Sequence, residues 1–392
     1  MQKPYDVIIA GGGVMGSAIA YFTAADPAFD GRVLVIERDP SYEFCSTTRS
    51  WGGVRQQFST PENIRIAQFS LPFFRAAPDI LAVEGEGPEL SFREQGYLFL
   101  ASERGLAQLR RSHQAQAGLG ATVELLAPAE LAGRFPWLNL DGIAAGSFGY
   151  ENEGWLDPHA VLHGFRRKAR DLGVDYLTAE VAALERLGNR VIGVRLGDDE
   201  ALSAGTVVNA AGWNAGRLAA TAAIDLPVRP RKRMTYVYDC REDLSHMPLT
   251  IDPRGVGFRP EGGQYLGLVS PPADQDPDCD DFELDYQLFD EVVWPTLAHR
   301  VPAFEAIKLS GAWAGLYDYN TFDQNAILGG HPDVAGILFC NGFSGHGIQQ
   351  SPAVGRATAE LIVHGGYRGL DLSAFDYARI PAGRPLREAA VV

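Results

Sequence analysis

The sequence predicts an α/β fold with two structural units, and three observations lead to that prediction. At 392 residues, the chain is longer than the size at which one hydrophobic core stops growing. A buried strand, a glycine turn and a helix follow one another at residues 5–25, and the same pattern recurs at residues 336–364. Residues 229–270 instead alternate short strands with turns. We therefore expect one sheet assembled from both ends of the chain and a second unit with a mainly antiparallel sheet.

The N-terminal unit begins with a βαβ arrangement. Residues 5–10 form an apolar run of the length of a buried strand, and residues 11–16 are dense in glycine. Residues 17–25 have the composition of a helix, and residues 32–36 form a second apolar strand. This order predicts two parallel strands joined by a helix.

The middle of the chain adds helices and strands to this unit. Thr60-Pro61-Glu62 supplies an N-cap residue, a first-turn proline and an early acid, which favour a helix start. Asp157-Pro158 predicts another helix start for the same reason. Further strands are expected at residues 174–177, 181–184, 190–196 and 206–211.

The C-terminal part repeats the strand, turn and helix order. A buried strand is expected at residues 336–341, a glycine turn at 342–347 and a helix at 353–364, with a frayed end after residue 380. The two glycine turns lie at opposite ends of the chain. We therefore expect both ends to contribute to one nucleotide-binding domain.

Composition and charge exclude several classes of protein. The balance of 34 basic and 49 acidic residues gives a net charge of -15, so nucleic acid is not an expected partner, and the basic run at residues 229–233 is expected on a solvated face or at a domain rim. Cys45, Cys240, Cys279 and Cys340 form no CxxC, which indicates neither a metal site nor a disulfide framework. No apolar run approaches the ~20 residues of a membrane helix. We expect a cytoplasmic protein without a membrane span.

Residues 11–16 supply the GxGxxG pattern in the context that dinucleotide binding requires. Gly11 permits the tight turn, Gly13 lets a diphosphate approach the backbone, and Gly16 lets the helix pack on the strand. The N-terminus of the helix then faces the phosphate charge. Glu37 closes the second strand at the distance expected for an acid that hydrogen-bonds a ribose hydroxyl. The pattern predicts a Rossmann-type domain.

The motif does not decide between NAD and FAD, because both present the same adenosine diphosphate half to the turn. Residues 341–348 form a second glycine-dense turn that opens a helix, where backbone N–H groups and the helix dipole stabilise an anion. A reduced flavin carries such an anion near N1 and C2=O. By itself, this pattern is equally typical of a turn that has only a structural role. Its pairing with the first glycine turn favours a flavin site.

With these motifs the chain resembles the D-amino-acid oxidase superfamily, on the branch that contains monomeric sarcosine oxidase and dimethylglycine dehydrogenase. The segments that carry the resemblance are residues 6–37, 46–58, 207–215 and 315–355. Three segments are still more similar to a group of mitochondrial FAD-dependent oxidoreductases linked to respiratory complex I assembly, namely residues 229–233, 313–325 and 342–356.

The resemblance implies an FAD-binding domain made of noncontiguous segments and a substrate domain whose sheet covers the flavin face. We place the FAD-binding domain at residues 1–80, 150–220 and 325–380, the substrate domain at 81–149 and 221–324, and a C-terminal tail at 381–392. By the same resemblance, the residues that would line FAD are Gly11, Gly13, Val14, Met15, Gly16, Glu37, Arg38, Ser46, Thr47, Gly52, Val181, Ala211, Gly212, Trp213, Gly315, Gly342, Gly345, His346, Gly347 and Ile348.

The resemblance also implies noncovalent FAD. Some members of the family attach FAD through a cysteine just before the aspartate that matches Asp323, and others through an N-terminal histidine. Here residues 315–317 contain no cysteine, and no histidine precedes His113. Because only one GxGxxG lies between a strand and a helix, no second site for NADPH is expected. Electrons should therefore come from the organic substrate.

Four residues are candidates for the substrate site. Arg55 aligns with the arginine that binds the substrate carboxylate in sarcosine-oxidase-like enzymes, and a planar guanidinium suits a carboxylate. Gln349 stands where those enzymes have a lysine, so this clamp would carry one charge less. Tyr265 aligns with a lysine that stabilises superoxide over the flavin, which predicts a poor oxidase. Tyr317 either walls the flavin or fills a core.

We therefore expect FAD-dependent oxidation of a secondary or N-substituted amine, with an amino acid as the favoured substrate. Hydride transfer to flavin N5 would give an imine that hydrolyses. A quinone or an electron-transfer protein is the expected acceptor. The alternative is a flavin-containing assembly or scaffold protein with little turnover. An NAD-dependent dehydrogenase is disfavoured by the second glycine turn.

Overall fold

The computed structural model of the protein describes residues 4–389. Its strands are β1 (Tyr5–Ala10), β2 (Val33–Glu37), β3 (Gly53–Val54), β4 (Tyr97–Ala101), β5 (Val123–Leu126), β6 (Ala145–Gly149), β7 (Gly154–Trp155), β8 (Asp175–Thr178), β9 (Val181–Leu187), β10 (Arg190–Leu196), β11 (Ala201–Asn209), β12 (Val228–Asp239), β13 (Leu249–Ile251), β14 (Val256–Glu261), β15 (Gln264–Val269), β16 (Lys308–Asn320), β17 (Ile327–Gly330) and β18 (Ile337–Asn341). Its α-helices are α1 (Val14–Ala25), α2 (Pro61–Ile80), α3 (Glu103–Gly118), α4 (Pro128–Arg134), α5 (Pro158–Asp171), α6 (Ala215–Ala220), α7 (Tyr286–Leu288), α8 (Trp294–Arg300) and α9 (Gly347–His364).

The first sheet has the strand order β17-β18-β11-β1-β2-β8, and its central pairs are parallel. Strands β1 and β2 are apolar and almost fully buried, as expected for parallel strands that are covered on both faces. Helices α1, α2, α5 and α9 contribute to the hydrophobic core on one face, and α6 contributes to the core on the other. Strands β10 and β9 extend β11 as antiparallel neighbours.

The second sheet has the order β16-β12-β15-β14-β13-β4-β6-β5. Its pairs are antiparallel, apart from the parallel pair of β13 with β4. One face packs on a core that includes helix α8, and the other carries a smaller cluster around Trp51 and Trp155. The expected combination of a Rossmann-type sheet and a mainly antiparallel sheet is therefore confirmed. The exact domain boundaries stay a prediction.

A short two-stranded sheet of β3 and β7 carries the chain from the first glycine region towards Arg55. Gly52 precedes β3 with a φ of 67°, and a Cβ atom there would lie 1.9 Å from the carbonyl oxygen of Leu156. Only glycine tolerates both the left-handed backbone and this close approach. Gly52 therefore sets the path of the chain that leads to Arg55.

The C-terminal segment corrects one expectation. Residues 381–389 do not fray, because Glu388 is buried and its carboxylate accepts hydrogen bonds from the backbone N–H groups of Ser59 and Thr60 at the start of α2. Leu386 also donates its backbone N–H to Asp323. Residues 390–392 of the predicted tail lie outside the described residues. The prediction failed because its polar and small residues gave no sign of a buried binding partner.

Within residues 4–389, no helix combines the length and the apolar character that crossing a membrane would require.

Helix α9 begins at Gly347, six residues before the predicted start at 353. The prediction placed the helix after Pro352, whereas the structure accommodates this proline inside the second turn. The earlier start matters for function, because it brings the N-terminus of α9 directly to the second glycine turn.

Candidate active site

A cleft lies at the carboxyl ends of β1, β2 and β11, which is where ligands bind in open parallel sheets. It contains about 1220 Å³ of empty space, part of it open to solvent. The N-termini of α1 and α9 both point into this region, since Gly13 and Gly347 line the cleft. The predicted cofactor residues that line it are Gly11, Gly13, Val14, Met15, Glu37, Arg38, Ser46, Thr47, Val181, Ala211, Gly212, Trp213, Gly345, Gly347 and Ile348.

The glycines of the first turn have different roles. Gly11 has a φ of 103°, and a Cβ atom there would lie 2.3 Å from the carbonyl oxygen of Ala210. A Cβ atom on Gly16 would lie 1.9 Å from the carbonyl oxygen of Gly11, so Gly16 serves helix packing and does not line the cleft. Gly13 has a milder conflict, because the nearest atom to its Cβ position is the side-chain atom Cys45 Sγ at 3.3 Å. A side chain on Gly13 would therefore obstruct the cleft with less damage to the fold than one on Gly11 or Gly16.

Glu37 and Arg38 line the cleft at the carboxyl end of β2. Glu37 Oε2 accepts the backbone N–H of Gly12 at 2.8 Å, and its Oε1 accepts that of Asp39 at 2.9 Å. These bonds hold the carboxylate in the cleft wall, in agreement with its predicted position beside a ribose hydroxyl of the cofactor. The guanidinium of Arg38 stacks on the ring of Trp213 at 4.7 Å, which gives the wall a flat surface.

The second glycine turn is held against the end of β16. Gly345 has a φ of 95°, and a Cβ atom there would lie 2.4 Å from the ring of Tyr317. Asp318 accepts the backbone N–H of Phe343 at 3.1 Å. Burial raises the pKa of Asp318 to about 6. Sequence reasoning missed this aspartate, although it lies inside the segment that carries the family resemblance.

Five predicted cofactor residues fall outside the cleft. Gly16, Gly52 and Gly342 do not line the cleft, and Gly342, with a φ of 73°, packs against Asn320 instead. Gly315 and His346 line the adjoining cavity rather than the cleft. The physical reason is that a motif fixes the turn as a whole, while only some of its residues face the ligand.

The adjoining cavity, which we call the substrate cavity, shares Ser46, Ser50, Tyr317, Gly345 and Ile348 with the cleft. Three arginines line it, and no aspartate, glutamate or lysine of the described residues does. Its other lining residues are Trp51, Gly53, Tyr97, Thr235, Leu249, Ile251, Leu268, Gly315, Leu316, His346 and Gln349. The cavity therefore combines a positive field with an apolar wall.

Arg55 is 2% exposed and is oriented from several sides. Its backbone N–H donates to Gln349 Oε1 at 2.8 Å, and its Nη1 donates to the carbonyl oxygen of Gln57. Its Nη2 lies 3.0 Å from Nε2 of His346. Because arginine only donates, His346 Nε2 must accept, so the imidazole is neutral. The ring of Phe58 packs against the guanidinium at 4.1 Å.

A buried carboxylate lies behind Arg55. Glu153 Oε1 accepts the backbone N–H groups of Gln56 at 2.6 Å and of Gln57 at 3.1 Å. Its Oε2 accepts Nε2 of Gln57 at 2.7 Å. Burial raises the pKa of Glu153 to about 7, while the neighbouring Arg55 acts in the opposite direction. No spacing in the sequence links residue 153 to residue 55, so this contact could not be predicted.

Two further arginines of the cavity were not assigned to the site by sequence reasoning. Arg233 is buried, against the expectation of a solvated basic run, and it pairs with Asp276 through two hydrogen bonds of 2.8 Å. Its guanidinium lies 5.0 Å from the ring of Tyr317. Arg49 donates to the carbonyl oxygens of Ala314 at 2.7 Å and of Glu43 at 2.6 Å. Side chains alternate in direction along a strand, and this period of two along β12 could have indicated that Arg233 is buried.

The placement of Tyr265 over the flavin was wrong. Tyr265 is 4% exposed and lies in the core of the second sheet, where its hydroxyl accepts the backbone N–H of Leu244 at 2.8 Å. Side chains alternate along β15, so Leu268 faces the substrate cavity while Tyr265 faces away from it. An alignment error of one residue exchanges these two faces. Arg55, Gln349 and Tyr317 do line the cavity.

Comparison with known proteins agrees with this geometry. The profile of the family described as FAD dependent oxidoreductase, DAO, matches residues 6–361. A Xenopus laevis protein named FAD-dependent oxidoreductase domain-containing protein 1 is 43% identical over 99% of this chain and 85% of its own length. Glycine oxidase of Bacillus licheniformis is 27% identical over 93% of this chain and 94% of its own length.

Among solved structures, L-proline dehydrogenase from P. horikoshii superimposes with a TM-score of 0.84 and 26% identity. The match covers 98% of this chain and 100% of that one. The similarity therefore extends over both sheets and both glycine turns.

Proposed function

Because the chain belongs to the DAO family of FAD-dependent oxidoreductases, we propose that it oxidises a secondary or N-substituted amine that carries a carboxylate. The proposal is based mainly on Arg55, whose buried guanidinium lines a cavity that has no lining acid among the described residues. Glycine oxidase and L-proline dehydrogenase, by their names, act on amino acids, which supports the same substrate class.

The cleft residues fit FAD. The open face of Gly13 admits a diphosphate, the N-terminus of α1 faces its charge, and Glu37 is held in position for a ribose. The N-terminus of α9, together with Gly345 and Gly347, suits the pyrimidine end of the flavin. When bound, FAD supplies the two-electron acceptor for the substrate hydride. Since residues 315–317, in the region where some members of the family have the attaching cysteine, contain no cysteine, we expect FAD to be released by acid precipitation.

The substrate cavity would hold the amine in its neutral form. Arg55 lines the cavity and no acid of residues 4–389 does, so an ammonium group would lie near a guanidinium with no lining carboxylate to pair with. Hydride loss from the carbon beside nitrogen requires the nitrogen lone pair, which only the neutral amine has. Arg55 would bind the carboxylate through two parallel hydrogen bonds and so orient this carbon.

The substituent beside the carboxylate would contact the apolar wall. Leu249 and Ile251 of β13 and Leu268 of β15 form this wall opposite the α9 side of the cavity. Each buried methylene stabilises binding by about 0.8 kcal/mol. Gln349, which replaces a lysine of the sarcosine-oxidase-like enzymes, leaves Arg55 as the main carboxylate partner.

We further propose that electrons pass to an acceptor other than oxygen. No lysine among residues 4–389 lines the cleft or the substrate cavity. The charge of Arg233 is offset by Asp276, and Arg49 is held by two carbonyl oxygens. The structural similarity to a dehydrogenase supports this preference over an oxidase.

An anaerobic screen of N-substituted amino acids against the purified flavoprotein tests the proposed function. We expect loss of the oxidised flavin absorbance with at least one such compound, L-proline and N-methyl amino acids among them. A flavoprotein whose spectrum stays oxidised with every carboxylated amine would contradict the proposal.

A further inference from the structure

Exposed apolar side chains occur at the cofactor cleft and in a segment that contacts it. Phe44, which lines the cleft, is 42% exposed and packs on the partly buried Phe282; Leu284 and Tyr286, which follow Phe282 in sequence, are 42% and 49% exposed. We name these four residues the entrance patch. Large apolar side chains exposed together, rather than singly, are typical of contact surfaces.

The entrance patch is continuous with the site. Phe44 lines the cofactor cleft, and its ring lies 4.8 Å from that of Phe282. The guanidinium of Arg49, which lines the substrate cavity, lies 4.8 Å from the ring of Phe44 and 5.1 Å from that of Phe282. Among the exposed large apolar side chains of residues 4–389, Phe44 alone also lines the cleft. The patch therefore connects the cofactor site to the surface.

The surroundings of the patch are strongly acidic. Residues 274–291 contain nine acids and no basic residue. Several of these acids pair with bases outside the segment, as Asp280 does with Arg217 and Asp281 with Lys232. The five others form no salt bridge with any part of the chain that the structure describes, namely Asp274, Glu283, Asp285, Asp290 and Glu291. The patch thus has an apolar centre and an uncompensated negative rim.

We propose that the entrance patch docks a protein electron acceptor that presents a basic surface. An apolar centre with a charged rim is the usual composition of a protein interface, and opposite charge speeds encounter and sets orientation. The inference rests on the proposed transfer of electrons to an acceptor other than oxygen, and it names the partner of that step.

Oxidation of one amine to an imine releases two electrons and two protons. A one-electron carrier leaves the patch with one electron, so two carrier molecules are needed for each substrate, and both protons pass to water. Short encounters suit such a cycle, because a tightly bound first carrier would block the second.

The test uses the holoprotein with its flavin reduced anaerobically by light, with EDTA as the sacrificial electron donor, so that no amine substrate is required. The reduced protein is mixed with ferricytochrome c, a basic one-electron carrier, and the second-order rate of flavin reoxidation is followed against ionic strength. We expect a rate that falls steeply with added salt. The double substitution Glu283→Lys with Glu291→Lys should lower the rate at low salt by roughly tenfold or more.

A matched control carries the same change of net charge away from the patch. Asp198→Lys with Glu200→Lys alters two exposed acids in the turn between β10 and β11 and should keep more than half of the rate. Leu284→Ser should slow the reaction, whereas Leu187→Ser, at a side chain 70% exposed, should not. An uncharged benzoquinone should reoxidise all variants equally.

Equal losses in the two charge-reversal pairs, or no loss in the patch pair, would overturn the docking proposal. Because EDTA replaces the amine as the electron donor in the photoreduction, this result is independent of the amine screen. If no amine reduces the flavin but reoxidation by cytochrome c depends on salt and on the patch residues, the proposed substrate class is wrong and the docking proposal is supported.

Discussion

The cofactor cleft and the substrate cavity share a wall at Tyr317 and Gly345, but they are built differently. Two glycine turns and two helix N-termini form the cleft, so its shape depends on backbone and on residues close in sequence. Side chains from β4, β12, β13, β15 and α9 form the cavity, so its shape depends on strand pairing between distant segments. Cofactor occupancy and substrate recognition should therefore respond to separate substitutions.

The largest effect is expected for Gly13→Leu. The side chain would enter the cleft where the diphosphate must approach the backbone, while the nearest protein atom to its Cβ lies 3.3 Å away. We expect a folded protein with almost no FAD, measured by absorbance and by the melting temperature. Gly16→Ala is the contrasting variant, because its Cβ would strike the carbonyl oxygen of Gly11 and lower stability itself. Normal FAD content in Gly13→Leu would contradict this assignment.

The glycine turns explain how much of the fold was predictable. Strand, turn and helix follow one another within about twenty residues, so local pattern suffices to predict the first sheet. The direction of β15 side chains depends instead on register against β12 and β14, and this is why Tyr265 was misplaced. The contact of Glu153 with residues 56 and 57, and that of Glu388 with residues 59 and 60, join segments without any shared pattern.

A second effect concerns oxygen. Reduced flavin in this protein should react with oxygen roughly a hundredfold more slowly than with a quinone, because no lysine lines either site among residues 4–389. Stopped-flow mixing of the reduced protein with air-saturated buffer or with the quinone gives both rates. Asp276→Asn exposes the charge of Arg233 and should speed the oxygen reaction. If oxygen reoxidises the wild-type flavin as fast as turnover requires, the protein is an oxidase.

The smallest effect is on stability against pH, and it involves one carboxylate beside each site. Burial raises the pKa of Asp318 in the cleft to about 6 and that of Glu153 behind the cavity to about 7. Both groups bind their protons more tightly in the folded state, so the free energy of unfolding is highest at low pH and falls as pH rises through these values.

Urea unfolding between about pH 4 and pH 7 should show a fall of roughly a few kcal/mol, since one pKa unit corresponds to about 1.4 kcal/mol. Asp318→Asn should remove the part of the fall that develops between about pH 4 and pH 6, and Glu153→Gln the part that extends to about pH 7. A wild-type stability that rises over this range would show that the two carboxylates are stabilised as anions.

If Arg55 binds the carboxylate of an amine substrate, as proposed, the preference for carboxylated amines should depend on this residue. Anaerobic flavin reduction is measured for wild type and Arg55→Ala, with an N-substituted amino acid and with the same amine lacking its carboxylate. A charge-assisted hydrogen bond contributes about 1.5 to 3 kcal/mol, so wild type should prefer the carboxylated compound by roughly 10 to 150-fold. Arg259→Ala, which removes a buried arginine outside the substrate cavity, is the control. Arg55→Ala alone should lose the preference while FAD content stays normal. A preference retained in Arg55→Ala would show that Arg55 does not bind the carboxylate.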